Sequence, residues 1–104
     1  MKYFIIYATA KTNVEARKIA GVLLNKKLVA CVNIISKIES MYWWKGKIQR
    51  HGEAVLIAKT DKAHVKKAIK TAKAIHSYDV PDVVALPIAD GNNDYFKWIS
   101  EVLK

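Results

Sequence analysis

One cysteine, one glutamine, two prolines and two arginines are all that this 104-residue chain holds of those four residue types. A lone Cys31 cannot close a disulfide within the chain, and it cannot supply a zinc ribbon or knuckle. No apolar run reaches the roughly twenty residues that a membrane span needs. The amino-terminal MKYFIIYATAK has a basic residue and an apolar stretch, but that stretch is too short for a signal-peptide core and ends in a helix cap. It reads as a first strand, and the protein is expected in the cytoplasm, away from membranes. No glycine-rich phosphate loop is present. No serine, histidine and acid fall into a recognisable catalytic pattern, and Asp90 and Asp94 read as turn and cap residues, so the chain is not expected to be an enzyme.

Lysine is plentiful: sixteen lysines and two arginines, against nine acidic residues, bring the formal net charge to +9. Such a charge makes anionic partners possible. The lysines are scattered along the sequence, however, and there is no arginine cluster and no RNP, KH or zinc-finger pattern. They read as a solvated face, and nucleic acid is not an expected partner. Low glutamine and abundant lysine fit a heat-adapted protein. Hydrophobic residues make up 52% of the chain, too many for disorder, so residues 1–104 are read as a single domain.

The longest organised stretch runs from Ala30 to Thr60. It reads as one antiparallel hairpin, VNIISKIESMYWW, a KGK turn and IQRHGEAVLIAKT. Arms of about thirteen residues would each span about 43 Å at about 3.3 Å per residue, whereas a domain of this size has a radius of gyration of about 13 Å. The hairpin is therefore expected to project and to be covered by another copy of the chain. Met41, Tyr42, Trp43 and Trp44 at its tip are the expected interface anchors. Gly46 suits the positive φ of the turn, and His51-Gly52 is a candidate bulge. Simple alternation puts Val32, Ile34, Ser36, Ile38, Ser40, Tyr42 and Trp44 on one face.

Around the hairpin the chain reads as a strand over Lys2–Ala8 and a helix over Asn13–Asn25 opened by the capping box Thr12-x-x-Glu15. A second helix is capped by Thr60 or Asp61, with a buried stripe of Val65, Ala68, Ile69, Ala72 and Ile75. An edge strand follows between Pro81 and Pro87, then a last helix carrying Tyr95, Trp98, Ile99 and Val102 on one face. The order β-α-β-β-α-β plus a terminal helix predicts an α+β, ferredoxin-like sandwich with a long central hairpin. One sheet face lacks a full helical cover, a second reason to expect an oligomer.

Five stretches in this order carry a resemblance over essentially the whole chain: Leu28–Asn33, Ser40–Ile48 with its Tyr42-Trp43-Trp44-Lys45-Gly46-Lys47, Lys59-Thr60, His76–Pro81 and Tyr95–Ile99. They resemble the CutA proteins, the divalent-cation tolerance family. The resemblance implies a ferredoxin-like protomer in a tight homotrimer, with hairpins reaching across subunits, and a role in tolerance to copper and other divalent metals. It also implies a likeness in fold and assembly to the PII signalling proteins. One bacterial pattern in the family has a cysteine before the threonine that ends the first strand and two histidines ahead of Tyr-x-x-Pro. Here those positions are Ala8, Ile75 and His76, and only His76 is retained.

A metal site needs three or four ligands, and copper(II) or zinc accepts nitrogen and oxygen donors. His76, Asp79, Asp82 and Glu53 are the expected contacts, with copper or zinc as the ion; His76 in a plain helix-end role is the competing reading. Cys31, Met1 and Met41 offer the only soft sulfur. Cys31 reads as a buried small hydrophobe, His51 as a weak second ligand, and His64 sits among lysines. Lys59 and Tyr78 are candidates to line an inter-subunit cleft for a small anion, in a signalling or adaptor trimer like the PII proteins.

Overall fold

The structure is a computed structural model, described for residues 2–104; Met1, one of the three sulfur candidates, lies outside the described residues. The elements run β1 (Tyr3–Ala10), α1 (Asn13–Asn25), β2 (Cys31–Trp44), β3 (Lys47–Asp61), α2 (Val65–Ile75), β4 (Val83–Pro87) and α3 (Asn93–Val102). All pairings are antiparallel, in the order β2-β3-β1-β4. This is the ferredoxin-like sandwich. Pro87 ends β4 at the sheet edge, where its missing N–H leaves no broken ladder.

Helices α1 and α2 cover one sheet face. Ala16, Ile19, Ala20 and Leu23 of α1 and Val65, Ala68 and Ala72 of α2 are buried against Ile6, Ala8, Ala10, Ala54, Leu56 and Ala58. The many alanines let helix backbones approach the sheet closely. Each buried Leu or Ile contributes about 1.5–3 kcal/mol. Helix α3 covers one end of the opposite face: Ile99 and Leu103 bury Ala30 with Phe96, Val102 and Tyr3. The Tyr3 ring stacks on Phe96 at 4.7 Å, and its hydroxyl is 2.6 Å from that of Ser100.

Thr12 caps α1 by accepting from the Glu15 N–H at 3.1 Å, as the sequence indicates. The reciprocal bond is shifted: Glu15 Oε1 accepts from Lys11 N at 3.0 Å. Helix α2 starts at Val65, later than its expected cap at Thr60 or Asp61. Thr60 is buried in β3 and donates its hydroxyl to Leu28 O at 2.7 Å. Asp61 holds the turn before the helix by accepting from the His64 N–H at 3.1 Å.

The hairpin register explains the shape of the molecule, which measures 44 × 26 × 22 Å. Within β3, only Ala54–Asp61 pairs with β1. From Glu53 to Lys47, β3 has β2 as its one neighbour, so the distal hairpin is a two-stranded ribbon about 20 Å long at about 3.3 Å per residue. Its two-residue turn has Lys45 at φ 50° and Gly46 at φ 78°, the left-handed pair that matches strand twist.

The bulge lies on the other arm from the one expected. His51 and Gly52 pair regularly with Ser40 and Glu39, while the register slips between Ile35 and Ile38. Lys37, at φ 57°, is the residue that absorbs the extra length. One inserted residue inverts the alternation beyond it. Ile38, Ser40, Tyr42 and Trp44 therefore share a face with Cys31, Asn33 and Ile35, not with Val32 and Ile34.

Candidate functional site

The segment from His76 to Asp82 leaves α2, crosses the end of β1 and reaches Glu53 at the root of the ribbon. Three attachments fix it. Glu15 Oε2 accepts from Ser77 N at 2.8 Å, Thr9 N donates to Asp82 O at 3.2 Å, and Tyr78 donates its hydroxyl to Glu53 Oε2 at 2.7 Å. His76 is central. Its Nδ1 accepts from Tyr78 N at 3.1 Å, and its Nε2–H donates to Thr9 O at 2.7 Å. The imidazole thus ties the end of α2 to β1, whereas a helix-end role would point it at α2 carbonyls. Its ring lies 4.8 Å from that of Tyr78.

The carboxylates here are in unequal surroundings. Burial works against a charged Glu15, but donors from Ser77 and Lys11 and the nearby His76 outweigh it and hold its carboxyl below the ordinary range. Burial raises Asp82, the Glu53 carboxylate raises it further, and His76 partly offsets both. Tyr78 is pushed up by burial and by the Glu53 carboxylate that accepts its proton. Glu53 itself is only 7% exposed.

The structure brings His76, Tyr78, Glu53 and Asp82 into one neighbourhood and leaves Asp79 exposed beside them. Among the described residues no three His, Cys, Asp or Glu side chains are grouped to hold an ion. Both nitrogens of His76 are engaged, and one Glu53 oxygen is taken by Tyr78. The remaining candidates lie elsewhere. Cys31 is half-buried under α3, with Sγ 3.0 Å from the Tyr95 hydroxyl, whose pKa burial and this contact push up to about 12. His51 stacks on Tyr42 in the ribbon at 5.7 Å, and His64 Nδ1 is 2.6 Å from Asp61 Oδ1. Lys59 donates to Asn33 Oδ1 at 2.6 Å and stands six residues from Glu53 along β3, about 20 Å, so one subunit does not bring it to Tyr78.

At the ribbon tip Met41, Tyr42, Trp43 and Trp44 are all exposed, Trp43 at 72%. Met41, Trp43 and Ile48 are on the side continuous with the helical layer, and Tyr42 and Trp44 on the open side. Ile35, Val84 and Leu86 extend the apolar surface over the open sheet face. The sequence reading missed Ile48 in this set and missed Glu15 as the clamp on the 76–82 segment. Thr12-x-x-Glu15 marked Glu15 as a cap, but only the fold brings Ser77 to its second oxygen.

A family model described as "CutA1 divalent ion tolerance protein" matches residues 4–102. The chain is 43% identical over 95 residues to the chloroplastic Protein CutA 1 of Oryza sativa subsp. japonica, covering 91% of this chain and 54% of the rice protein. It thus spans about half the length of the plant relatives it matches. It is 39% identical over 97 residues to the divalent-cation tolerance protein CutA of Thermus thermophilus, covering 93% of this chain and 94% of the relative. A solved structure of the periplasmic divalent cation tolerance protein CutA from Archaeoglobus fulgidus superposes with a TM-score of 0.94 at 41% identity, covering 98% of this chain and 99% of that one.

Proposed function

The chain belongs to the CutA1 divalent ion tolerance protein family, and from that premise we propose that it is a cytoplasmic homotrimer that supports divalent-cation tolerance by binding copper or zinc weakly. The family is non-catalytic. The observation that carries the assembly is the ribbon. An isolated two-stranded hairpin is marginally stable in water, and this one bears apolar side chains on both faces. Its exposed Met41, Trp43 and Trp44, together with the half-exposed Ile35, Val84 and Leu86 of the open sheet face, are the surfaces that copies of the chain would cover.

For the metal we assign the first contacts to Asp79 and Asp82, the exposed carboxylates of the 76–82 segment. His76 joins only by releasing the Tyr78 amide, and Glu53 only by releasing the Tyr78 hydroxyl. The other ligands come from a neighbouring subunit or from water. A site assembled at that expense is weak.

Calorimetric titration of the metal-free protein with copper and zinc, with light scattering on the same samples, tests both parts. The expected result is saturable binding at one ion per subunit, abolished by Asp79→Asn with Asp82→Asn and reduced by His76→Ala, at a scattering mass of three chains. Nonsaturable heats, or heats indifferent to these substitutions, would remove the metal assignment. A single-chain mass would remove the assembly.

A further inference from the structure

Lysines that are scattered in the sequence are gathered by the fold. Segments 13–27 and 62–75, which form the helical layer, carry nine basic residues and one acid, Glu15. That layer therefore holds +8 of the chain's net +9. Helix α2 has four lysines in eleven residues and no acid. Lys66 and Lys67 sit in its first turn, where the helix dipole favours negative charge, and Lys66 and Lys70 are like charges four residues apart. Both arrangements oppose folding. The one close contact between a basic and an acidic side chain among the described residues, His64 with Asp61, relieves neither.

Between α1 and α2 runs a groove of about 600 Å³. Lys26, Lys66, Lys67 and Lys70 line it together with Val22, Thr71, Ala74 and Ile75. Lysine ammoniums thus stand around an apolar floor. The groove is on the helical layer, opposite the open sheet face, so a subunit contact on that face leaves it free.

We propose that this groove docks an acidic polypeptide segment carrying an apolar anchor side chain. Carboxylates of the segment meet the four lysines, and the anchor fills the floor between Val22 and Ile75. The lining decides against other polyanions. No aromatic side chain and no arginine line the groove to stack on or read a base. An anionic bilayer surface meets the lysines with headgroups but brings no apolar side chain to the floor between Val22 and Ile75.

The test is fluorescence anisotropy of the full chain with a labelled glutamate-rich peptide bearing two leucines four residues apart. Comparison probes are the same peptide with both leucines replaced by serine, a single-stranded DNA of equal charge, and phosphatidylserine–phosphatidylcholine vesicles by co-sedimentation. The expected result is binding of the leucine peptide that weakens about tenfold or more with serine and is lost in the Lys66→Glu, Lys70→Glu double variant. Lys66→Glu alone should raise the melting temperature while weakening the peptide, because it places an acid at the helix start and opposite Lys70. That gain shows that lost binding is not lost folding. Absence of peptide binding, equal binding of leucine and serine peptides, DNA or vesicles bound as tightly as the leucine peptide, or binding unaffected by the double variant would each overturn the proposal.

Discussion

Replacing Trp43 by alanine separates a projecting ribbon in water from one buried by neighbouring subunits. In a single chain Trp43 is 72% exposed, so the substitution removes little packing. Surface substitutions of that kind fall within about 0.5 kcal/mol. At an assembled interface the same truncation is a hot-spot loss of about 2–4 kcal/mol per site, hence about 6–12 kcal/mol over three sites. At about 1.4 kcal/mol per decade, the dissociation constant of the proposed trimer rises by about four to nine decades. That constant carries the square of concentration, so the concentration at half-dissociation shifts by about two to four decades. Light scattering over a dilution series reads the shift directly. Urea unfolding of the dissociated chain should show monomer stability unchanged to within about 0.5 kcal/mol. A variant that stays trimeric to the same dilution as the parent would refute the assignment of Trp43 to the interface. A variant destabilised as a monomer would place its contacts within its own chain.

Three further outcomes follow from the described contacts. Asp82→Asn should raise the melting temperature at neutral pH. A carboxyl whose folded pKa is raised contributes stability below the unfolded value of about 3.8 and loses it as pH rises through the folded value, so the gain should vanish in acid. Glu15 has the opposite sign: its lowered pKa contributes stability above about 4.5 that is lost as pH falls through the folded value. Glu15→Gln should flatten the acid limb of a stability profile and speed hydrogen exchange at the Ser77 amide; an unchanged acid limb would refute the clamp. Gly91→Ala puts a methyl 2.7 Å from Phe96 Cζ, so it should displace that ring from Tyr3 and destabilise by about 1–3 kcal/mol, visible in near-ultraviolet dichroism. A neutral substitution would mean that the loop at Gly91 yields.

Local chemistry in the sequence marks much of the fold. Thr12 and Glu15 start α1, Lys45-Gly46 turns the hairpin, and Pro87 closes an edge strand, because each acts on its own backbone or on residues a few places away. The fold departs from this local chemistry where distant residues compete for the same group. Thr60 looked like a helix cap because its hydroxyl was free in the sequence; in the fold Leu28 O takes it and the helix starts later. His51-Gly52 interrupts the apolar return arm and reads as a bulge, but the extra residue sits at Lys37, opposite Ala54.

The candidate metal residues divide in the same way. Their types and their closeness in sequence marked out the 76–82 segment, and the structure does gather His76, Tyr78, Asp82 and the remote Glu53 there. Coordination depends on free lone pairs, and hydrogen bonds from Tyr78 and to Thr9 occupy them. Those partners are 2 and 67 residues away from His76, and the second is invisible to spacing.

Element order, the hairpin turn, the Thr12 cap of α1, the family and the total charge are legible in the chain alone, since they follow from composition, periodicity and local backbone preference. Folding sets which face Tyr42 and Trp44 present, which lone pairs remain free around His76, and that eight of nine net charges share one layer. Each of these depends on contacts between residues far apart in the chain: strand register, a loop crossing β1, and two helices laid side by side on one sheet.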